Sequence, residues 1–195
     1  PETGSILLPR ELSARKAPAE LCGLLSRDPN SPFHKLIKRS SEQNSKAVIT
    51  DTAVITMIRN SISNPLGALA PYTSSTDGAA NVESMYNLLT TFWRAVRDTF
   101  PEAWALESKS SRLMHSAGII AMGVLMDRIY AKIGGQRETY EAVLQELARV
   151  APYCAWTTGQ WPMINVQWNE IQSTPQDIKA LQETLIRLYM TSAHQ

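Results

Sequence analysis

The run Ala117–Met126, AGIIAMGVLM, carries no polar side chain on any face. Around it, Leu113, Ala117, Ile120, Val124 and the block from Met126 to Ile129 keep helical spacing. A helix that is apolar all round has to be surrounded, either by other helices or by lipid. Its ten residues fall well short of the roughly twenty needed to cross a bilayer. His115 stands at one end of the run and Asp127 and Arg128 at the other, which marks a central core helix within Ser110 to Gly134. Gly118 and Gly123 each cost such a helix about 1 kcal/mol relative to Ala. Close approach of a neighbouring helix is the expected compensation.

Amphipathic helices are expected to supply the wrapping. Ala17–Ser26 has Pro18 in its first turn and Leu21, Leu24 and Leu25 on one face. A second helix runs from Thr50 or Asp51 to Ile62 with Val54, Ile55, Ile58 and Ile62 as its stripe. Ala79–Phe100 follows, capped by Asp77, with Val82, Met85, Leu89, Phe92, Trp93, Val96 and Phe100 on one face and Pro101 as its stop. Beyond Gly134-Gly135, Arg137–Val150 repeats the pattern through Tyr140, Val143, Leu144, Leu147 and Val150. Thr174, Pro175 and Asp177 announce the last helix as a variant capping box, ahead of Ile178, Leu181, Leu185, Leu188 and Tyr189. Ser5–Leu8 and Lys46–Thr50 are strand candidates, and Phe33–Ile37 is a candidate helical turn. The expected fold is mainly α, an irregular multi-helix bundle around residues 110–134 with at most two short strands near the N-terminus. Residues 1–63 read as a mildly basic segment, 64–78 as a linker rich in Pro, Gly, Ser and Thr, and 79–195 as the bundle.

Composition narrows the function classes. A net charge of +1 provides no global field for nucleic acid or acidic lipid. Residues 1–60 nevertheless hold nine Lys/Arg against six Asp/Glu, and the remainder ten against twelve. Two isolated cysteines, Cys22 and Cys154, and no leader-like segment point to a reducing cytoplasm. The start at Pro1, without Met, suggests a fragment of a longer protein. His34, His115 and His194 are scattered, and there is no GxSxG, HExxH or CxxC spacing, so neither a nucleophilic triad nor a metal site is expected. Glu138 and Glu141 share a helix face but read as solvated surface. No cofactor is implied, and no helix offers a basic face to a membrane.

Nucleic acid is the partner with some support. Lys35, Lys38, Arg39 and Lys46 surround a polar loop and could neutralise phosphates. Trp156, Trp161 and Trp168 crowd one loop and could stack on bases, or form a clasp over helix ends.

Five strings read together: DPNSPFHKLIKR (28–39), KAVIT (46–50), FWRAVRDTFPEAW (92–104), SRLMHSAGIIAMGVLMDRIY (111–130) and WNEIQSTPQDIKALQETLIRLY (168–189). In that order, from about Asp28 onward, they resemble the C-terminal half of bacterial DGQHR-domain proteins, the group that includes the regulator of DNA phosphorothioate modification. The resemblance implies a helical part that follows an N-terminal α/β part reminiscent of ParB-type nucleases, in a setting of DNA modification, phage defence and mobile elements. Some members are DNA-binding regulators. The naming motif is absent here, and Gly134–Arg137 (GGQR) lacks its Asp and His, so no functional residue carries over.

The expectation is a non-enzymatic helical module that assists DNA association or assembly, with DNA, itself or the missing half as partner. The alternatives are a pure protein-interaction or oligomerisation module and a fragment of a nuclease-like enzyme. The full reading frame is expected to carry an upstream α/β half bearing Asp-Gly-Gln-His-Arg, and sequencing the gene checks this.

Overall fold

The computed structural model describes residues 12–39, 46–73, 79–134 and 139–192. Six α-helices dominate them: α1 (Ala17–Arg27), α2 (Asp51–Ser63), α3 (Val82–Thr99), α4 (Ser116–Ile133), α5 (Tyr140–Val150) and α6 (Pro175–Thr191). Strands of two residues each staple the connections. β1 (Leu12–Ser13) pairs antiparallel with β4 (Ala79–Ala80), and β2 (Ile37–Lys38) runs parallel to β3 (Ile49–Thr50). A small hairpin joins β5 (Gln160–Trp161) to β6 (Val166–Gln167). The protein is thus a mainly α multi-helix bundle, with its few strands confined to connections. Ser5–Leu8, Asp77 and His194 lie outside the described residues.

Helix α4 is the centre. It packs against α2 on one side and α6 on the other, with α5 also touching it, while α3 lies between α1 and α5. Eleven of its residues are buried, from Ala117 to Tyr130. The wrapping has one thin edge, where Ile120 and Val124 are half-buried and Arg128 is exposed. The two glycines meet different neighbours. A Cβ on Gly123 would fall 2.4 Å from Met57 Cγ on α2, the close helix approach expected. One on Gly118 would fall 2.0 Å from the carbonyl oxygen of Arg112, so there the tight contact is the backbone of the helix's own lead-in.

That lead-in corrects the helix boundary. Residues 110–115 are irregular, and α4 starts at Ser116 because His115 turns its ring back as the cap, Nδ1 accepting from Ala117 N–H at 3.3 Å. At the other end, Asp127 and Arg128 close only the apolar run, and the glycine stop expected from the Gly134-Gly135 pair holds. The helix continues to Ile133 and stops at Gly134, whose φ is 39°. Helix α3 also starts later than the pattern suggests, capped by Asn81, whose side chain accepts from Ser84 N–H at 3.0 Å. Helix α5 is capped by Thr139 and α6 by Thr174 ahead of Pro175, the latter as read from sequence. Residues 32–36 form turns rather than a helical turn, because Ile37 is drawn into β2 beside Ile49.

Asp127 is the one acid buried on α4. Its Oδ1 accepts from Ser61 Oγ at 2.5 Å and from Ala68 N–H at 2.9 Å, and Ser61 Oγ accepts in turn from Leu69 N–H at 3.2 Å. Residues 64–69 are therefore pinned to the core, with Leu69 fully buried while Leu66 is 80% exposed. Burial pushes the Asp127 carboxyl above the usual range, against the two hydrogen bonds that favour its charged form.

Two outcomes are expected. Gly118→Ala should cost about 3 kcal/mol or more, because it drives a methyl into backbone, whereas Gly123→Ala should cost less, about 2 kcal/mol, because it meets the buried Met57 side chain and not backbone. Urea unfolding of the two variants compares them directly. For Asp127 the folded state holds its proton more tightly than the unfolded chain, so the group's stabilising contribution fades as pH rises above about 4. Asp127→Asn keeps both acceptor contacts and should gain on wild type between about pH 4 and 7. Parallel urea midpoints for the two proteins across that range would contradict this.

Candidate nucleic-acid interface

The parallel pair β2–β3 sets the geometry. Alternation along a strand sends successive side chains to opposite faces, so with Ile37 buried, Lys38 turns outward. The carbonyl of Leu36 accepts from both Val48 N–H and Ile49 N–H at 2.9 Å, which holds residues 46–49 alongside. Lys38 and Lys46 thereby line one open cleft of about 620 Å³, floored by Leu36, Ala47 and Val48. Its far wall is the loop after α3, through Ala105, Glu107 and Ser108.

That wall is anchored by aromatic packing. Trp104 stacks on Phe33 at 5.7 Å with planes 16° apart, and Phe33 meets Trp93 at 4.8 Å. Directly after the stack, Ala105 adopts a left-handed φ of 59° and turns the chain back along the cleft. Lys109 sits 2.8 Å from Glu107. Its hydrogen bond and charge hold the Glu107 carboxyl below the usual range, and Lys38 adds to the effect across the cleft. The charged side chains lining the cleft are thus Lys38, Lys46 and Glu107, the last of them paired with Lys109.

Of the four basic residues read from sequence, the fold brings Lys38 and Lys46 together. Lys35 is exposed on the preceding turn with φ 59°, its backbone N–H bonded to the carbonyl of Ser26. Arg39 turns the other way, onto α1 over Gly23. Lys109, Glu107 and Ser108 were missed by the sequence reading. They lie about seventy residues from Lys38, and only the fold joins them.

The tryptophans are placed differently from a base-stacking platform. Trp161 is fully buried and Trp156 almost so, packed edge to face at 4.8 Å, with Trp156 also against Phe100. The β5–β6 hairpin folds these rings inward because they close the bundle where α3 ends, so neither can stack on a base. Trp168 is half-buried, with the Arg112 guanidinium 6.0 Å over its ring.

Arg112 is the organising residue of this end. It is buried and donates to the carbonyls of Ile171 at 2.8 Å, Asn169 at 2.6 Å and Ser108, while its backbone N–H donates to the carbonyl of Trp156. Burial lowers its pKa. One guanidinium thus ties the cleft wall at Ser108 to the tryptophan loop and to the approach of α6.

A histidine–serine pair lies nearby, with His115 Nε2 3.3 Å from Ser173 Oγ. Because Nδ1 accepts the capping N–H of Ala117, the neutral ring carries its proton on Nε2 and donates to Ser173. It is therefore not arranged to activate that hydroxyl as a nucleophile. His115 and Asp127 do not converge either, since twelve residues of helix separate them by about 18 Å. Among the described residues no three His, Cys, Asp or Glu side chains gather as a metal site, and no helix is long and apolar enough to cross a membrane. Residues 135–137 of the GGQR run lie outside the described residues.

In comparisons with protein families, curated proteins and solved structures, no family model, protein or structure matches this chain.

Arg112→Met should cost about 3 kcal/mol or more, since it strands several inward-facing carbonyls. Lys109→Ala, exposed at the surface, should stay within about 0.5 kcal/mol of wild type. Guanidinium unfolding of the two variants checks the contrast.

Proposed function

We propose that this chain is a non-enzymatic helical module of a DGQHR-type protein that assists DNA association in a DNA-modification or phage-defence setting. The reading assigns the phosphate contacts to the cleft between β2–β3 and the 105–108 loop. The observation that carries it is that Lys38 and Lys46 line one open cleft on its β2–β3 side, in a chain whose net charge is only +1. Concentrating cations at one site in a near-neutral chain favours a polyanion there without general stickiness. Further support comes from two of the strings that suggest the family, 28–39 and 46–50, which are the segments paired as β2 and β3. A cytoplasmic setting agrees with the free thiols of Cys22 and Cys154.

The contact is to the backbone and not to base sequence. The cleft offers ammonium groups, which act as point charges on phosphate, and the two buried tryptophans offer nothing to a base. Binding should therefore be weakly selective and strongly salt-dependent.

Fluorescence titration with labelled duplex DNA at several salt concentrations tests this. Wild type should bind at low salt, and the double variant Lys38→Glu/Lys46→Glu should bind about tenfold or more weakly. Its log–log salt slope should also be shallower by about 2, one released counterion for each lost phosphate contact. Absent binding at low salt, or a slope unchanged in the double variant, overturns the reading.

A further inference from the structure

A second cationic feature lies on the opposite side of β2 from the cleft. Arg39 follows Lys38 and faces α1, where its Nη1 comes within 2.7 Å of the point a Cβ on Gly23 would occupy. Arg27, one helical turn beyond Gly23, reaches back over the same residue, with Nη1 3.2 Å and Nη2 3.4 Å from that point. Gly23 is thus the vacancy over which two guanidinium groups converge. Any side chain there would displace one of them.

Like charges this close call for a counter-charge, and the nearby acids are committed elsewhere. Asp28 accepts from Tyr86 Oη and from Asn30 N–H at 2.9 Å. Asp51 accepts from Thr52 N–H at 2.7 Å and from its hydroxyl at 3.3 Å. Among the described residues no carboxylate comes within 4.0 Å of either guanidinium. Arg39 Nη1 is buried without a hydrogen-bond partner, while Arg27 is exposed to solvent. A buried donor left unsatisfied beside a second, open guanidinium is an arrangement that a tetrahedral oxyanion completes. Each guanidinium is a planar fork matched to phosphate oxygens.

We propose that Arg27 and Arg39, converging over Gly23, form a seat for one phosphate-class oxyanion, separate from the lysine cleft. The oxyanion comes either from a nucleic-acid backbone or from a free phosphate or phosphomonoester. The seat rests on the DNA reading only for the first of these sources. Arg27 supplies the open side of the contact and Arg39 the enclosed side. The absence of a side chain on Gly23 keeps the two forks close enough to share one ligand.

The test uses the full chain with isotope-labelled arginine, following the Nε–Hε resonances by NMR while inorganic phosphate replaces chloride at constant ionic strength. Arg27 and Arg39 should shift saturably, and Arg27→Gln, an exposed substitution, should weaken the response about tenfold, the worth of a charge-assisted contact. Gly23→Ala should abolish it, with circular dichroism checking that the helices remain. Lys38→Glu/Lys46→Glu should retain it, which separates this seat from the cleft. Shifts that grow linearly without saturating, as charge screening produces, overturn the proposal. So does saturation unchanged in Arg27→Gln. A parallel titration with duplex DNA assigns the source. Duplex that competes with phosphate for these resonances places a backbone phosphate in the seat. Phosphate binding without a duplex effect assigns a small phosphate ligand and leaves the cleft reading to its own salt slope.

Discussion

Helix α4 has almost no face that it can leave in water, and the arrangement of the other elements follows from covering it. Helices α2, α5 and α6 lie against it, and the lead-in 110–115 folds so tightly under its first turn that Gly118 rests on the carbonyl of Arg112. Burial of apolar surface is the dominant favourable term in folding, and most of α4 takes part in it. It also explains the treatment of Asp127, whose charge is met inside the bundle by Ser61 and by the 64–69 turn. A second polar node joins three of the helices. Glu146 on α5 accepts from Lys132 of α4 at 2.9 Å and from Tyr189 of α6 at 2.5 Å, while Arg149 adds a third bond. Burial alone would raise the Glu146 carboxyl, but the hydrogen bonds from Lys132 and Tyr189 outweigh it and hold it below the usual range.

The candidate interface is a by-product of the same wrapping. The loop after α3 needs an anchor, and the Phe33–Trp104 stack and the Arg112 guanidinium provide one from each side. Once anchored, it stands opposite β2–β3 and leaves the cleft between them. Lys38 and Lys46 therefore owe their proximity to core packing and strand pairing, and not to nearness in sequence.

Particular residues show what was legible in advance. Helix α6 could be read almost residue by residue, because Thr174 and Pro175 are local signals and its apolar stripe repeats every turn. Helix α3 yielded its buried set equally well, since Val82 to Phe100 alternates faces with a strong helical period. Its cap did not, because Asn81 is no more conspicuous in sequence than its neighbours. The buried role of Asp127 was not legible, because its partners, Ser61 and Ala68, are about sixty residues away. Arg112 and Glu107 escaped notice for the same reason. Trp156 and Trp161 were weighed as base platforms or clasp, and only the hairpin that turns them inward decides for the clasp. Arg39 was grouped with Lys38 by adjacency, although strand alternation alone sends neighbouring side chains apart.

The half-buried indole of Trp104 is stacked on Phe33, one residue before the Ala105 that lines the cleft. The protein therefore carries a native optical reporter beside its proposed contact surface. Emission from that ring responds to local polarity and to nearby charge, so occupancy can be followed without attaching a dye. The buried indoles of Trp93, Trp156 and Trp161 contribute a blue-shifted background, and Trp168, the other half-buried ring, is removed from the signal by Trp168→Phe.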